Sequence, residues 1–311
     1  MTDQHARPAH PPVVAGVDGS EDSLRAADLA ANEAVVREVP LEIVHGFAPA
    51  MLGRPATVPP DLPPIATLPE PVDAELRRNA EQILHEAATR VRTAHPDLAV
   101  ITRLHDGPPS AVLTAASHHA GLVVVGHRGT GGFTGLLAGS VAVQLVSHAA
   151  CPVIVSRGDV TTGADAPVVV GVDGSEASQR AAAFAIDSAA RYQAPLVVLH
   201  AWPLDAAWPP ELAASGYPPP AEPDVIGESL GELTKEYPQV AVEPRVLKHL
   251  AAHEALVEAS EGARLVVVGS RGRGGFRGLL LGSTSQALIN HARCPAAVIG
   301  PEAQPDEPAG G

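Results

Sequence analysis

Short apolar runs alternate with longer, alanine-rich segments along the whole chain. The runs are rich in Val, Leu and Ile and hold few polar residues, which is typical of strands buried on both faces of a parallel sheet. The first half is predicted to contain five strands, at Val13–Val17, Leu41–His45, Leu98–Leu104, Leu122–Gly126 and Pro152–Ser156. The second half is predicted to contain five more, at Val168–Val172, Leu196–His200, Val240–Val246, Leu265–Gly269 and Ala296–Ile299.

Helices are predicted between the strands. Ser20 precedes a segment with acidic residues in its first turn, so its hydroxyl is expected to cap a helix there. Further helices are predicted at Glu70–Ala94, Pro109–Ala120 and Ser140–His148. Strands joined by right-handed helical crossovers form a doubly wound α/β fold. The pattern therefore predicts an α/β protein with parallel sheets that helices cover on both faces.

Three sequence blocks of the first half return in the same order in the second half. PVVAGVDGSEDSLRAADLA becomes PVVVGVDGSEASQRAAAFA, GHRGTGGFTGLLAGS becomes GSRGRGGFRGLLLGS, and HAACPVIV becomes HARCPAAV. Such self-similarity indicates a duplicated domain. We therefore predict two tandem doubly wound domains, each with a five-stranded parallel sheet, at residues 12–157 and 167–300.

The remaining segments are predicted to connect or flank these domains. Residues 158–166 are interpreted as a linker, residues 1–11 as a flexible N-terminus and residues 301–311 as a disordered tail. Each half also carries a proline-rich stretch, at 47–71 and at 202–223, which is predicted to be a loop because proline lacks an amide donor.

Composition limits the classes of function. Of the 311 residues, 45% are hydrophobic and 3% aromatic, which allows an aliphatic core in each half without metal or disulfide support. The formal net charge of −14 disfavours nucleic acid as a partner, as does the scarcity of aromatic residues for stacking on bases. No signal peptide and no apolar run of the ~18 residues needed for a membrane span is found, so a cytoplasmic location without membrane association is expected.

The cysteines and histidines are not expected to hold a metal ion. Cys151 and Cys294 each precede a proline at equivalent places of the two halves and are interpreted as small buried hydrophobic residues. His118 and His119 are adjacent on a predicted helix, so their side chains are expected to point in different directions.

A glycine-rich segment in each half runs from the end of a buried strand to the start of a helix. In a doubly wound sheet, ligands bind at this edge, beside the point where the strand order reverses. Glycine lets successive amides approach an anion as a nest, and the helix N-terminus adds unpaired amides and a positive dipole end. The segment is therefore predicted to hold a chain of phosphates. It matches neither the P-loop motif nor the dinucleotide-binding fingerprint.

Together these motifs resemble those of the universal stress protein family. The resemblance is carried twice, by a VDGS segment after the first strand, the glycine segment after the fourth and a HAxCP segment before the fifth. It implies a Rossmann-like domain of the HUP, or adenine nucleotide alpha hydrolase-like, type that binds ATP in each copy, with or without Mg²⁺. It also implies that the last strand of each half is a dimerisation edge, through which the halves pair and a homodimer is expected to form.

The resemblance assigns the phosphates to the motif glycines and the serine that follows them, and the nucleoside to the segment after the first strand. The adenine would meet the backbone after His45 and His200. In the first domain the candidate nucleotide-binding residues are Gly16, Asp18, Gly126, His127, Arg128, Gly129, Thr130, Gly131, Gly132, Gly139 and Ser140. In the second domain they are Gly171, Asp173, Gly269, Ser270, Arg271, Gly272, Arg273, Gly274, Gly275, Gly282, Ser283 and Thr284.

The two glycine segments differ in charge. Arg273 and Arg277 stand where the first segment has Thr130 and Thr134. Hydrogen bonds to charged groups contribute about 1.5–3 kcal/mol when well aligned. The second segment is therefore expected to hold a triphosphate more tightly than the first.

The resemblance implies a binding protein rather than an enzyme, with a role in stress adaptation. ATP occupancy would change its conformation or its binding to a regulatory protein that the sequence does not identify. Phosphoryl transfer would also need a positioned nucleophile and metal-bridged phosphates, and no second acidic motif stands in a suitable place. Three alternatives stay open: a slow ATPase, a nucleotide-transferring enzyme, and a nucleotide-free dimerisation module whose glycine segments are connectors.

Overall fold

The structure is a computed structural model, which describes residues 10–48, 70–130, 139–158, 163, 165–202, 224–248, 251–272 and 281–301. By its internal contacts the chain divides into unit 1, Met1–Leu145, and unit 2, Val146–Gly311. Most of the predicted flexible N-terminus, of the disordered tail and of both proline-rich stretches lies outside the described residues, as does much of the linker. Among the helices of the described ranges, none combines the length and the apolar character needed to span a bilayer.

Unit 1 alternates strands and helices. Its elements are β1 (Val13–Gly16), α1 (Glu21–Arg37), β2 (Leu41–Phe47), α2 (Glu70–Ala94), β3 (Val100–Asp106), α3 (Pro109–Ala116), β4 (Leu122–Gly126) and the first residues of α4 (Ser140–His148). The strands form a parallel sheet in the order β3-β2-β1-β4. The chain crosses the sheet in one direction from β1 to β3 and returns to β4, so right-handed crossovers place α3 on the face opposite α1 and α2.

Unit 2 repeats this order after one additional strand. Its elements are β5 (Val153–Ser156), β6 (Val168–Gly171), α5 (Glu176–Tyr192), β7 (Leu196–Trp202), α6 (Val225–Leu230), α7 (Leu233–Glu236), β8 (Val242–Lys248), α8 (Ala252–Ala259), β9 (Leu265–Gly269), α9 (Ser283–His291) and β10 (Ala296–Ile299). The parallel strands lie in the order β8-β7-β6-β9-β10. This five-stranded order corresponds to the doubly wound fold predicted for the repeat.

Strand β5 ends the first sequence repeat but groups by contacts with unit 2. It pairs antiparallel with β10, with Val155 opposite Ala296 and Val153 opposite Val298. The edge that the resemblance assigned to dimerisation is therefore used within the chain, between the last strands of the two repeats. The homodimer and the domain boundaries at 157 and 167 stay predictions from sequence.

Five element boundaries agree with the sequence prediction to the residue, those of α2, β4, α4, β9 and β10. The edge strands differ: β3 and β8 each start and end two residues later than predicted. Their bounds follow the neighbouring strand, since β2 pairs with β3 from Leu41↔Val100 to Phe47↔Asp106. Helix α3 ends at Ala116, four residues before the predicted end, and residues 117–119 form a turn in which the His119 amide donates to the Ala116 carbonyl at 3.1 Å.

The second repeat lacks a counterpart of the long helix α2 in its described residues. Two short helices, α6 and α7, occupy this part of the chain. They are separated by Gly231, whose φ of +40° and ψ of −119° do not belong to a helix. Glycine adopts this conformation without the steric cost of a Cβ, and it also weakens a helix interior. The two repeats therefore differ in the helical segment that leads to their third strand.

The core is aliphatic, as the composition indicates. The side chains of β1 and β4 are almost completely buried, and α1 faces them with alanines. The fully buried alanines of α1 are Ala26, Ala27, Ala30, Ala31 and Ala34. Their small side chains let the helix lie close to the sheet, so the end of β1 and the start of α1 are held firmly at the sheet's carboxyl edge.

Candidate functional site

Each unit has a crevice where its strand order reverses. Strands β1 and β4 are neighbours in unit 1, with Gly16 opposite Val125, and β6 and β9 are neighbours in unit 2. Site 1 is the region at this point bordered by Asp18 and the described residues 126–130 and 139 of the glycine segment, and site 2 is the region bordered by Asp173 and residues 269–272 and 281–282. Both lie at the carboxyl ends of the strands, which is the position expected for a ligand.

Each glycine segment leaves the sheet and returns to nearly the same point. The Gly139 amide donates to the His127 carbonyl at 2.8 Å, and the Gly282 amide donates to the Ser270 carbonyl at 2.9 Å. These bonds close the segment into a loop whose ends are fixed. The loop tips, with the predicted Gly131 and Gly132 of site 1 and Arg273, Gly274 and Gly275 of site 2, lie outside the described residues.

The helix after each loop starts at the predicted serine. Ser140 and Ser283 are the first residues of α4 and α9, and Thr284 follows in the first turn of α9. The N-cap of α9 is Gly282, which has no side chain to bond the first amides. By contrast, the Ser175 hydroxyl caps α5 by accepting from the Ser178 amide at 3.2 Å. The start of α9 therefore offers amides to an anion, whereas those of α5 are already partly used.

Asp18 joins the first strand to the glycine loop. Its Oδ1 accepts from the amide and the hydroxyl of Ser20, at 3.0 and 2.6 Å. Its Oδ2 accepts from the Thr130 amide at 2.7 Å. In site 2, Asp173 Oδ1 accepts in the same way from Ser175, at 3.0 Å from the amide and 2.6 Å from the hydroxyl. The aspartate thus positions the loop, a role that the sequence prediction of a nucleoside contact did not include.

These hydrogen bonds keep Asp18 ionised. Burial by itself would raise the pKa of this carboxyl, but the hydrogen bonds from Ser20, Thr130 and Ser23 outweigh it, so the pKa lies below its ordinary value. Hydrogen bonds to the charged form of an acid favour that form. Site 1 therefore keeps a fixed negative charge under its loop at neutral pH.

The second motif glycine packs directly on this carboxylate. A Cβ at Gly129 would overlap Asp18 Oδ2, and a Cβ at Gly272 would overlap Asp173 Oδ2. Both positions therefore need glycine for the aspartate to reach the loop. Their predicted role in holding phosphate stays a prediction, while their packing role is visible in both sites.

The other motif glycines bring neighbouring elements close together. A Cβ at Gly16 would lie 2.7 Å from Leu113 Cδ1, and one at Gly171 would lie 2.5 Å from Leu256 Cδ1. A Cβ at Gly126 would lie 2.9 Å from the carbonyl carbon of Asp22, so the first turn of α1 rests on the start of the loop. These contacts give Gly16, Gly171 and Gly126 a structural role at the crevice.

Site 1 contains a histidine–carboxylate pair that the sequence prediction missed. His127 Nδ1 lies 3.0 Å from Asp22 Oδ2, and both side chains are largely buried, at 17% and 16% exposure. In site 2 the equivalent residues are Ser270 and Ala177. Alignment of the two repeats could have indicated this pair, because the aspartate and the histidine are both replaced in the second repeat.

The second strand is tied to the first beside each site. His45 Nδ1 donates to the Val17 carbonyl at 2.8 Å, and His200 Nδ1 donates to the Val172 carbonyl at the same distance. A carbonyl only accepts, so both rings carry a proton on Nδ1. The strands continue two residues past these histidines, so the backbone predicted to meet adenine is still strand in both units.

A cation lies at the end of β2 in unit 1. The Arg77 guanidinium is 4.8 Å from the Phe47 ring centroid and bonds Asp106 Oδ1 at 2.5 Å. These three residues come from α2, β2 and β3, and the sequence prediction did not single them out. They place an aromatic ring and a charged pair at the same edge of the sheet as site 1.

Arg128 and Arg271 are exposed at the start of their loops. Neither side chain makes an ion pair with a described residue, so both are available to an anionic ligand. Among the described residues, no group of three or more His, Cys, Asp or Glu side chains is arranged to hold a metal ion. Cys151 and Cys294 are both buried, and burial raises the pKa of the Cys294 thiol to about 12, so it is unreactive.

Known proteins resemble this chain over nearly its full length. The model of the universal stress protein family matches residues 11–157 and again 166–300. A universal stress protein of Mycolicibacterium smegmatis is 36% identical over 298 residues, which cover 93% of this chain and 97% of the relative. One from Mycobacterium tuberculosis strain H37Rv is 36% identical over 295 residues, covering 92% and 95%.

A solved structure supports the fold. The crystal structure of a universal stress protein from Archaeoglobus fulgidus matches with a TM-score of 0.68 and 21% identity, and the match covers 93% of this chain and 96% of that one. The duplicated sequence blocks, the strand order of the units and the family match agree. The chain belongs to the universal stress protein family, with two copies of the family's domain in tandem.

Proposed function

We propose that this protein binds ATP at site 1 and site 2 and serves as a regulatory protein in stress adaptation. ATP occupancy would change its conformation or its binding to a protein partner. The observation that carries the proposal is the glycine loop that closes on itself beside a strand-order reversal, found in both units. Family membership supports it, because the motifs that carry the resemblance are present in both copies.

The phosphates would lie against the loop and the helix that follows it. The α9 N-terminus has no capping side chain, and the exposed Arg271 lies beside it, since a Cβ at the N-cap Gly282 would be 3.6 Å from Arg271 Cα. Amides at a helix N-terminus and a free guanidinium both favour a phosphate group. The equivalent elements in unit 1 are the start of α4 and Arg128.

A binding role is favoured over catalysis by the state of Asp18. Both of its carboxylate oxygens accept hydrogen bonds from Ser20 and Thr130, so this carboxylate is committed to holding the loop. A Mg²⁺ ion that accompanies ATP would accordingly depend on phosphate oxygens, as this ion commonly does. Phosphoryl transfer further requires an in-line nucleophile held by the protein.

The experiment is to denature the protein as purified from cells and to identify the released nucleotide by chromatography, with its stoichiometry. One adenine nucleotide per site is the expected result. Stripped protein should then gain about 2.7 kcal/mol of stability at about 100 times the Kd for ATP. Absence of both released nucleotide and stabilisation would contradict ATP binding and favour the nucleotide-free dimerisation module. Steady-state phosphate release far above the spontaneous rate would instead favour the ATPase.

A further inference from the structure

Two buried positions beside the loop change together between the sites. In site 1, Asp22 of α1 and His127 of the loop make a side-chain contact of 3.0 Å. In site 2 their equivalents are Ala177 and Ser270, which carry no charge, and Ser270 is only 3% exposed. Site 2 therefore has no carboxylate at the position of Asp22, and neither of its two replacement residues is charged.

The carboxylate of site 1 lies where the loop leaves the sheet. The backbone of Asp22 rests on Gly126, the last residue of β4, and its side chain holds the next residue, His127. The amides predicted to hold phosphate begin at this point. A negative charge here opposes each further phosphoryl group that a ligand adds.

Four charged positions between the first strand, its helix and the start of the loop are matched in the two sites. Glu21, Arg25, Asp18 and Arg128 of site 1 correspond to Glu176, Arg180, Asp173 and Arg271 of site 2. Asp22, which also pairs with Arg25, is thus an additional carboxylate of site 1, whereas the equivalent Arg180 of site 2 pairs with Glu176. In sequence the contrast continues into the loop tips, where only the second has arginines, Arg273 and Arg277.

We propose that the two sites select adenine nucleotides by phosphate charge: site 2 takes the triphosphate, and site 1, through the Asp22–His127 pair, favours a nucleotide with a single phosphate. The proposal rests on the proposed nucleotide binding and adds the ligand class of each site. A repulsive group gives such selectivity because it penalises the more highly charged ligand.

The test measures the affinity of each site separately for ATP and for AMP. The full chain carrying Gly272→Glu reports on site 1, and the chain carrying Gly129→Glu reports on site 2, with circular dichroism and thermal melting to verify folding. Titration calorimetry on each reporter chain gives the dissociation constants of ATP and AMP. The preference for ATP over AMP is expected to be about tenfold greater at site 2 than at site 1. The reason is that the partly buried Asp22 carboxylate of site 1 repels the additional phosphates of ATP.

Exchange variants then assign the selectivity to the pair. In the chain that reports on site 1, Asp22→Ala with His127→Ser should raise the ATP preference about fivefold. In the chain that reports on site 2, Ala177→Asp with Ser270→His should lower it by a similar factor. Asp28→Ala is the matched control, since it removes a carboxylate of α1 that pairs with Arg90 away from the loop. It should leave the preference unchanged.

Equal preferences in the two reporter chains, or unchanged preferences in both exchange variants, would overturn the proposal and leave nucleotide binding intact. A shift in Asp28→Ala as large as that in the Asp22 variant would also overturn it, because net charge would then be the cause. If wild-type protein bound neither ATP nor AMP, the proposed function itself would fall, and this inference with it.

Discussion

In both sites the aspartate after the first strand accepts the amide and hydroxyl of the serine two residues later, and the second motif glycine packs on its other oxygen. The sites differ around this frame. Site 1 adds the Asp22–His127 pair, and site 2 adds the Ser285 hydroxyl under its loop, where site 1 has Ala142. Both copies keep the residues that loop geometry requires, whereas the charged residues that would contact a ligand differ. The duplicated domain thus keeps the geometry of the loop constant while the charge beside it varies.

The largest effect is expected from blocking one site at a time. Gly129→Glu should abolish binding at site 1, and Gly272→Glu at site 2, because the new side chain displaces the aspartate and places a carboxylate in the phosphate position. Calorimetry should show half the wild-type ATP stoichiometry in each case. Gly163→Glu is the control, since a Cβ there meets open space. Full stoichiometry in either loop variant would show that the loop is not the binding element.

The first repeat contains a buried ion pair at two positions where the second repeat has uncharged residues. Arg37 and Glu33 pair on α1, with side-chain exposures of 4% and 3%, whereas the second repeat has Tyr192 and Ser188. Glu33→Ala should destabilise the protein by about 3 kcal/mol, because it removes the partner of a buried charge. Replacing both residues by those of the second repeat should cost less. Urea unfolding measures both, and an equal or larger loss in the double variant would contradict this.

Because the Asp18 carboxylate is held in its ionised form, the free energy of unfolding is expected to depend on pH. Burial opposes its ionisation, but the hydrogen bonds from Ser20 and Thr130 hold its pKa below the ordinary value. Its stabilising effect is thus complete above the unfolded pKa, about 3.9, and is lost as the pH falls through the lowered folded pKa. Asp18→Asn should lower the free energy of unfolding by about 1–2 kcal/mol at pH 7, from weakened charged hydrogen bonds.

That difference between Asp18→Asn and wild type should shrink as the pH falls below about 4. Denaturant unfolding over a pH series measures it. Asp28→Asn, which changes a partly exposed carboxylate of α1 that pairs with Arg90, is the control and should cost less than about 1 kcal/mol at every pH. A difference for Asp18→Asn that did not change with pH would exclude the charge of this carboxylate as the cause.

The smallest effect is expected at the base of the second loop. The Ser285 hydroxyl is buried and lies 2.9 Å from the Gly282 carbonyl. Ser285→Ala copies Ala142 of site 1 and should reduce the free energy of unfolding by about 1 kcal/mol. ATP affinity at site 2 should fall less than in the glycine variants. Calorimetry and denaturant unfolding test both, and wild-type values in the two measurements would show that this bond does not support the loop.

Much of the architecture was predictable from local pattern. The continuous apolar run of β4 and the charged segment of α2, whose proline Pro71 lies in the first turn, have the observed bounds, because each pattern is complete within its own residues. The repeated blocks predicted the duplication and the two glycine segments that border the candidate sites. Where a boundary depends on a partner strand, as in β3, the pattern of the strand itself was misleading by two residues.

The sequence by itself determined the duplication, the parallel sheets, the glycine loops and the position of the crevices. Only the tertiary structure decided that Asp18 holds the amide of Thr130, that Asp22 contacts His127, and that β5 pairs with β10. The physical reason is the range of the interactions. Propensity, periodicity and capping act between residues a few positions apart, whereas these contacts join distant segments and exist only once the strands have stacked in their final order.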